Sequence, residues 1–580
     1  MSIKRNDRIL KAQFFRFLAP TVLSMMAMSL NEFVDSLLVS NLINADAMTL
    51  VNLASPLVTF YGVIYSLLGI GGSAVYAIYA GRHNTDRANS IFSVTVFAAL
   101  TTALITLVAG LILLEPLSSS MCKDAQLLPG FIPYVRGLVI AVLFIIPLQI
   151  IVYFMPAFGH PGLGSAINIT ANVINLIMDY VYIKICGMGL AGAAYATLTG
   201  YAAGIIIVAV LYIIKKIDLP FSSITSRSFR ILAETSSVGL PSAMNQIGYC
   251  IKIAFVNAIA FELAQMAGVT AFAVCMQAVS MVSVITGGVI DAMVPMAASL
   301  YGQRDFSGIR QVLRISVIAQ FIANFAFFLF FEIYPRIVLD MYKVTEDIAP
   351  VSITGLRIFS ISFLFRGFVL IYMCFYPVIK RQAYAFVISL IDGFAGIIPL
   401  SLILTRFRGI NGLWEAFAVL PALMLLGILT INSIISVRSQ GRYSKLFLIE
   451  KEDVNIPVFD STVGINAKDI SVLSDNIQGF CHEHGLGPKL SMLAALVAEE
   501  MSAYTMEKRE ETKLDSIDII LKIYPEYILI DLRSIGKPYD PTTAPEANDY
   551  SSITVLRKTA SSLEYNYTLG MNQTRIKVNR

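Results

Sequence analysis

With 56% hydrophobic and only 14% charged residues over 580 positions, the chain reads as a polytopic membrane protein rather than a globular enzyme. A formal net charge of +4 implies no nucleic-acid partner. Cys122, Cys186, Cys250, Cys275, Cys374 and Cys481 are scattered without a CxxC, and His482 and His484 in CHEHG lack a second ligand pair, so no resident metal, cofactor or enzyme activity is expected.

The N-terminal MSIKRNDRILK is basic but lacks the short apolar core and small-residue cleavage site of a signal peptide. Twelve apolar stretches follow, near 13–39, 50–80, 91–114, 131–156, 164–187, 189–214, 238–260, 268–299, 312–334, 351–378, 384–405 and 410–437. Pro20, Pro56, Pro147 and Pro241 interrupt some of them, which membrane helices tolerate where neighbours satisfy the freed backbone. Lys4, Arg5, Arg8 and Lys11, the basic loops GRHNTDR, GQRDFSGIR and VIKRQ, and Arg438, Arg442 and Lys445 all fall on one side of twelve spans. Both termini are therefore expected to be cytoplasmic, with Arg406 and Arg408 dissenting.

The apolar region repeats. Pro20 in LAPTVLSMM recurs as Pro241 in GLPSAMNQ, and Gly81 as Gly302, both 221 residues on; Gly189 and Gly192 recur as Gly409 and Gly412, 220 residues on. Two six-helix halves in parallel order, 1–225 and 226–445, place a substrate between them near the membrane midplane.

Asn168, Asn172, Asn175 and Asp179 lie at spacings of four, three and four, on one face of an apolar helix. Asn31, Glu32 and Asp35 share a face of the first span. Polar groups at membrane depth mark pathways and sites by default. Asn also serves as hydrogen-bonding glue between helices, but packing alone does not call for the charge of Asp179. Oxygen ligands of this kind suit a hard cation such as Na⁺, and a desolvated carboxylate can carry H⁺ instead.

LNEFVDSLLVSN, YAGRHNTDRANS and NLIMDYVYIKICGMGLAGAAYATLTGY resemble the MATE (multidrug and toxic compound extrusion) family over roughly residues 10–440. The resemblance implies an all-α transporter exporting amphipathic or cationic small molecules by Na⁺- or H⁺-coupled antiport, alternating between outward-open and inward-open states in the plasma (inner) membrane. It also points to a coupling site at Asp35, Asn175, Asp179 and Thr197. Shifting those positions by 221 or 220 lands on Val256, Ala395, Pro399 and Phe417, so coupling there is expected to be asymmetric.

Further polar groups expected in the cavity are Asn31, Glu32, Asn168, Asn172, Gln277, Asp291 and Lys252. Lys252, mid-span in GYCIKIAFVNA, needs a partner, with Glu32, Asp35 or Asp291 as the options; a snorkelling Lys is the plainer alternative. Paired with Asp35, it could replace a coupling cation. Arg366, Asp392 and Glu415, nearer the ends of apolar runs, read as structural or rim groups. Some of the 22 Met and 35 Phe residues are expected to line an adaptable cavity.

From about 450 to 580 the chain reads as a soluble α/β two-layer sandwich. SVLSDNIQGFCHEHG and LSMLAALVAEEMSAYTMEK are helical, and SIDIILKIYPEYILIDLRSI forms two strands about a turn at Pro525-Glu526. LAALVAEEMSAYTMEK, DLRSIGKPYDP and VLRKTASSLEYNYTLGMNQTRIKV resemble the histidine-kinase-like ATPase domain in its anti-sigma-factor serine-kinase form. Its motifs are eroded. Tyr504 stands four residues after Glu500 where the family has an Mg²⁺-holding Asn, Ser534 replaces the adenine-reading Asp before Gly536, and DYSSITVLRK lacks the lid glycines. A degenerate, regulatory domain is expected, acting on its own transporter or on a regulatory protein. A membrane sensor signalling through this domain and a lipid-linked glycan flippase are the alternatives.

Overall fold

The computed structural model describes residues 8–43, 45–124, 126–223, 228–341, 344–451, 456–508, 516–543 and 551–580. Lys4, Arg5, the expected boundary between the halves at 225/226, the first two residues of the lid segment (Asp549 and Tyr550) and the side chain of Glu32 lie outside the described residues.

Every predicted apolar stretch overlies a helix. In the first half these are α1 (Arg8–Leu42), α2 (Ser55–Gly81), α3 (Thr85–Ile112), α4 (Leu128–Phe154), α5 (Pro161–Ile185) and α6 (Leu190–Ile213). In the second they are α7 (228–263), α8 (266–302), α9 (Phe306–Ile333), α10 (Ala349–Ser360 and Phe363–Phe375, bent by 47°), α11 (Gln382–Arg408) and α12 (Ile410–Arg438). The helical run Ser228–Gly302 is broken into α7 and α8 by the non-helical backbone of Ala264 and Gln265. By length and apolarity, nine helices among the described residues can cross a membrane, or ten with the bent pair as one span; that count takes Ser228–Gly302 as one and omits α1. Pro20, Pro147 and Pro241 sit inside helices as expected, whereas Pro56 opens one, in the first turn where its missing N–H costs nothing.

The repeat is visible atom by atom. Asn84 and Asp305, 221 apart, cap α3 and α9 by accepting from the N–H of Arg87 and Gly308, themselves 221 apart. His83 and Arg304, the residues before those caps, both hold positive φ, 58° and 56°. Gly81 packs so tightly on α8 that a Cβ there would stand 2.1 Å from the carbonyl oxygen of Ser299. Its repeat partner Gly302 meets Ile78 at the same 2.1 Å, and Ile78 and Ser299 are again repeat partners. The halves therefore meet about a pseudo-two-fold axis, backbone on backbone, where only glycine fits.

The C-terminal domain is a five-stranded antiparallel sheet, ordered β1-β2-β3-β5-β4, with β1 Val458–Gly464, β2 Ser516–Ile523, β3 Tyr527–Ile535, β4 Ser562–Thr568 and β5 Met571–Asn579. Helices α13 (Ala467–Glu483), α14 (Pro488–Glu507) and α15 (Ser552–Thr559) pack on it, matching the predicted helices and the turn between β2 and β3. Period-two alternation sorts its faces. Ile517, Ile519, Leu521, Ile528, Ile530, Leu532, Ile576 and Val578 join the helices in an apolar core. The other face carries a cross-strand row, Thr462–Asp518–Arg533–Gln573–Asn566, each directly opposite the next. Asp518, Arg533 and Gln573 are buried, because this polar face lies against the helical region.

Candidate functional site

The stripe on α5 divides between two places. Asn168, nearest the start of α5, donates to Ser24 Oγ (3.3 Å) and accepts from Gln149 Nε2 (3.4 Å). It lines a cavity between the halves, with Met25, Met28, Tyr65, Tyr153 and Asp291 among its walls. Two methionines and two tyrosines are among its lining residues. Gln277 is exposed and is not among its walls, contrary to expectation.

Two to three turns further along α5, Asn175 and Asp179 face α1 inside the first half. Asn31 Nδ2 donates to Asn175 Oδ1 at 3.0 Å, and the carboxylates of Asp35 and Asp179 lie close together. Asp179 is fully buried, and Asn172 and Asn175 nearly so. Four buried oxygens here, Asn31 Oδ1, Asp35 Oδ1 and both of Asp179, receive no hydrogen bond among the described residues, and the amide nitrogens of Asn172 and Asn175 donate none. Gly200 sets the spacing of α6 on α5, for a Cβ there would stand 2.6 Å from Ala171 O and 2.9 Å from Asn175 Cβ. Thr197, one turn earlier on α6, turns its hydroxyl back to Ala193 O at 3.1 Å. Tyr134 of α4, which sequence reasoning missed, is near enough to feel both carboxylates.

Two acidic side chains brought close together at a largely buried site repel one another when both are charged, and buried polar atoms without partners are costly. Carboxylate and amide oxygens are donor types that suit a hard cation, and a buried carboxylate can instead take up a proton. Among the described residues no group of three or more His, Cys, Asp or Glu could hold a metal ion.

Lys252 is not paired with Asp35 or Asp291. It meets Asp392 of α11, donating to the backbone oxygen at 2.9 Å and standing 3.8 Å from Oδ2. Arg366 lies 3.8 Å from the same Oδ2, so Arg366 and Asp392 belong to a buried charge cluster rather than to a rim. Only Glu415, paired with Arg408 at 3.2 Å, stays peripheral. Asp392 sits in a π-helical turn, Ile391–Ala395, a distortion frequent at functional sites.

In the C-terminal domain, Tyr504 and Ser534 close on Tyr539. The rings of Tyr504 and Tyr539 meet edge-on at 5.9 Å, and the Tyr539 hydroxyl bonds Thr505 Oγ1 and Ser534 Oγ, each at 3.0 Å. Asn572 Oδ1 accepts from the N–H of Tyr539 at 3.1 Å, and Tyr567 donates to Gly536 O at 2.9 Å. Glu500 is half-buried on α14.

Paired buried acids, a cavity between repeated halves and a shell of apolar helices define a multi-pass membrane transporter. The chain belongs to the MATE multidrug efflux family: the MatE family model matches residues 20–181 and 241–401, two segments offset by the repeat distance. Members are transporters, not enzymes. Over 425 residues the chain is 22% identical to the probable multidrug resistance protein YoeA of Bacillus subtilis (strain 168), covering 71% of this chain and 90% of that protein. It is 20% identical over 420 residues to the multidrug export protein MepA of Staphylococcus haemolyticus (strain JCSC1435), covering 70% and 90%. A multidrug resistance MATE family transporter of the MOP superfamily in its outward-facing conformation superposes with a TM-score of 0.70 at 20% identity, over 74% of this chain and 97% of that one.

Proposed function

We propose that this chain is a cation-coupled antiporter that exports amphipathic or cationic small molecules, with twelve spans in the plasma membrane and both termini in the cytoplasm. The observation that carries the reading is the set of four buried, donor-less oxygens on Asn31, Asp35 and Asp179. Na⁺ or H⁺ entering there neutralises one of two neighbouring carboxylates, and its release restores the repulsion. That is a difference in energy large enough to bias the packing of α1 on α5. The relatives named for multidrug resistance and export support the cargo class. Asp35→Asn and Asp179→Asn, made in the full chain, should reach the membrane normally and lose ion-driven uptake into inverted vesicles, with separately imposed Na⁺ and H⁺ gradients identifying the ion. Wild-type rates in both variants would defeat the proposal.

The C-terminal domain regulates transport as a latch. Its polar sheet face holds both halves at once. In the first half, Gln13 donates to Leu569 O and Asn566 to Ala80 O (2.6 Å), while the amide of Leu569 reaches Ala157 O at 3.4 Å. In the second, Arg533 meets Asp305 at 3.0 Å and also Gln303, Lys522 donates to Arg304 O at 3.0 Å, and Ser307 to Asp460 at 2.9 Å. A body bound to both halves on one face keeps that face closed, so opening it requires release. The domain packs its helices on one face of the sheet, and the positions expected to hold Mg²⁺ and read adenine are Tyr504 and Ser534, both closed on Tyr539. Docking, not catalysis, is the role this supports, and a sensor that signals through the same face would first have to free it.

A further inference from the structure

The internal repeat gives the coupling site of the first half a counterpart in the second, and the counterpart has the opposite polarity. A shift of 221 carries Asn31 to Lys252, and a shift of 220 carries Asn172 to Asp392. In the first half these positions hold amides beside two acids. In the second they hold Lys252 and Asp392, joined by Arg366 from α10. Asp392 Oδ2 accepts from Asn245 Nδ2 at 3.2 Å and lies 3.8 Å from both Lys252 Nζ and Arg366 Nη2, while Lys252 donates to the Asp392 backbone oxygen at 2.9 Å. Among the described residues neither cation has another carboxylate. Two positive charges thus share one negative charge at membrane depth, and a surplus charge there is expensive unless something answers it.

Beside the cluster is a narrow cleft, lined by Lys252, Ser362, Arg366, Asp392, Phe359 and Phe417 among others. Ser362 is 2% exposed, and its Oγ has no hydrogen-bond partner among the described residues. The Arg366 side chain keeps 21% of its surface open, so guanidinium donors remain free. The cleft therefore offers donors without an acceptor to match: a guanidinium, the remaining ammonium protons of Lys252 and an orphaned hydroxyl. Its aromatic walls on α10 and α12 limit it to a compact ligand.

We propose that the second half holds a binding site for a small monovalent anionic group, bound by Arg366, Lys252 and Ser362. Such a group is either a free halide or the carboxylate of a transported amphipathic molecule. The two halves then present a cation site and an anion site at equivalent places. This does not depend on which ion drives transport.

The test uses the purified full-length chain in nanodiscs at constant ionic strength. Replacing bulky gluconate by chloride or bromide should raise the thermal midpoint saturably, and crystals grown in bromide should show an anomalous peak between Arg366 and Ser362. Ser362→Ala leaves every charge in place and should weaken the halide response severalfold without moving the gluconate midpoint; Arg366→Gln should abolish it. Transport of a matched pair of substrates, with and without a carboxylate, separates the sources. If the group is the substrate's own, Arg366→Gln slows the carboxylate-bearing member about tenfold and spares the other; if it is a halide, chloride dependence is lost and both members are affected alike. A midpoint identical in chloride, bromide and gluconate, together with unaltered handling of both substrates by Ser362→Ala and Arg366→Gln, would overturn the proposal and leave Lys252 as a tethered counter-ion to Asp392.

Discussion

Arg533→Met should release the C-terminal domain. The guanidinium is buried against Asp305, with side-chain exposures of 5% and 3%, at 3.0 Å. Removing it takes away the cation that balances the buried Asp305 carboxylate, which also accepts from the Gly308 N–H at 2.7 Å. Breaking a buried pair from one side costs about 3–5 kcal/mol, because the orphaned charge stays desolvated until the surfaces part. At about 1.4 kcal/mol per tenfold, that shifts the docking equilibrium by roughly two to three and a half orders of magnitude. Hydrogen exchange on the full-length protein reads this directly. Peptides covering the β4–β5 turn, where the Leu569 amide contacts Ala157, should lose protection by about that factor if undocking governs exchange. The β2 and β3 amides, inside the domain's own sheet, should keep theirs. Adding Asp305→Asn should restore much of the protection, since the cost lies in the charge. Unchanged protection of the turn in Arg533→Met, with β2 and β3 also unchanged, would refute the latch.

Acid should loosen the same contact. His83, beside Arg575 and Asp531 of the docked domain, is pushed down to about 4, by burial first and by Arg575 second. Between that value and the ordinary 6.5 the released state binds more protons, so docking weakens as pH falls through this window and is flat above it. His83→Gln should remove the dependence, as followed by exchange of the β4–β5 turn at matched intrinsic rates. Gly302→Ala places a methyl 2.1 Å from Ile78 O and should cost about 1–3 kcal/mol of stability. Gly427→Ala, with nothing within 4 Å, should cost none, and comparable thermal midpoints for the two would contradict the backbone-on-backbone contact. ATP with Mg²⁺ should bind the full-length chain no better than weakly, since Tyr504 and Ser534 stand where the Mg²⁺-holding amide and the adenine-reading carboxylate are expected, and a lost buried hydrogen-bond acceptor costs about 1–3 kcal/mol. Low-micromolar binding by calorimetry would restore a nucleotide-binding role.

Local chemistry determined a large part of this protein. Apolar runs separated by capped turns set out the helices, because backbone at membrane depth must satisfy itself. The repeat was legible in Pro20, Gly81 and their partners, since a glycine at a backbone contact cannot drift in either half. The acid and amide face of α5 followed from helical spacing, and alternation in SIDIILKI and YILIDLRSI assigned the two faces of the sheet. What the spacing left open was which groups meet across long stretches of chain. Lys252 finds Asp392 at a separation of 140 residues, and Arg533 finds Asp305 at 228. Charge and period in one segment say that a partner is needed, not where it comes from. The polar sheet face of the C-terminal domain, written in its sequence as Asp518, Arg533 and Gln573, reads equally well as solvent-exposed or docked. Only the packed structure, which buries that face on both halves of the transporter, decided between them. The physical reason is that desolvation belongs to the assembled pair of surfaces and to neither sequence segment alone.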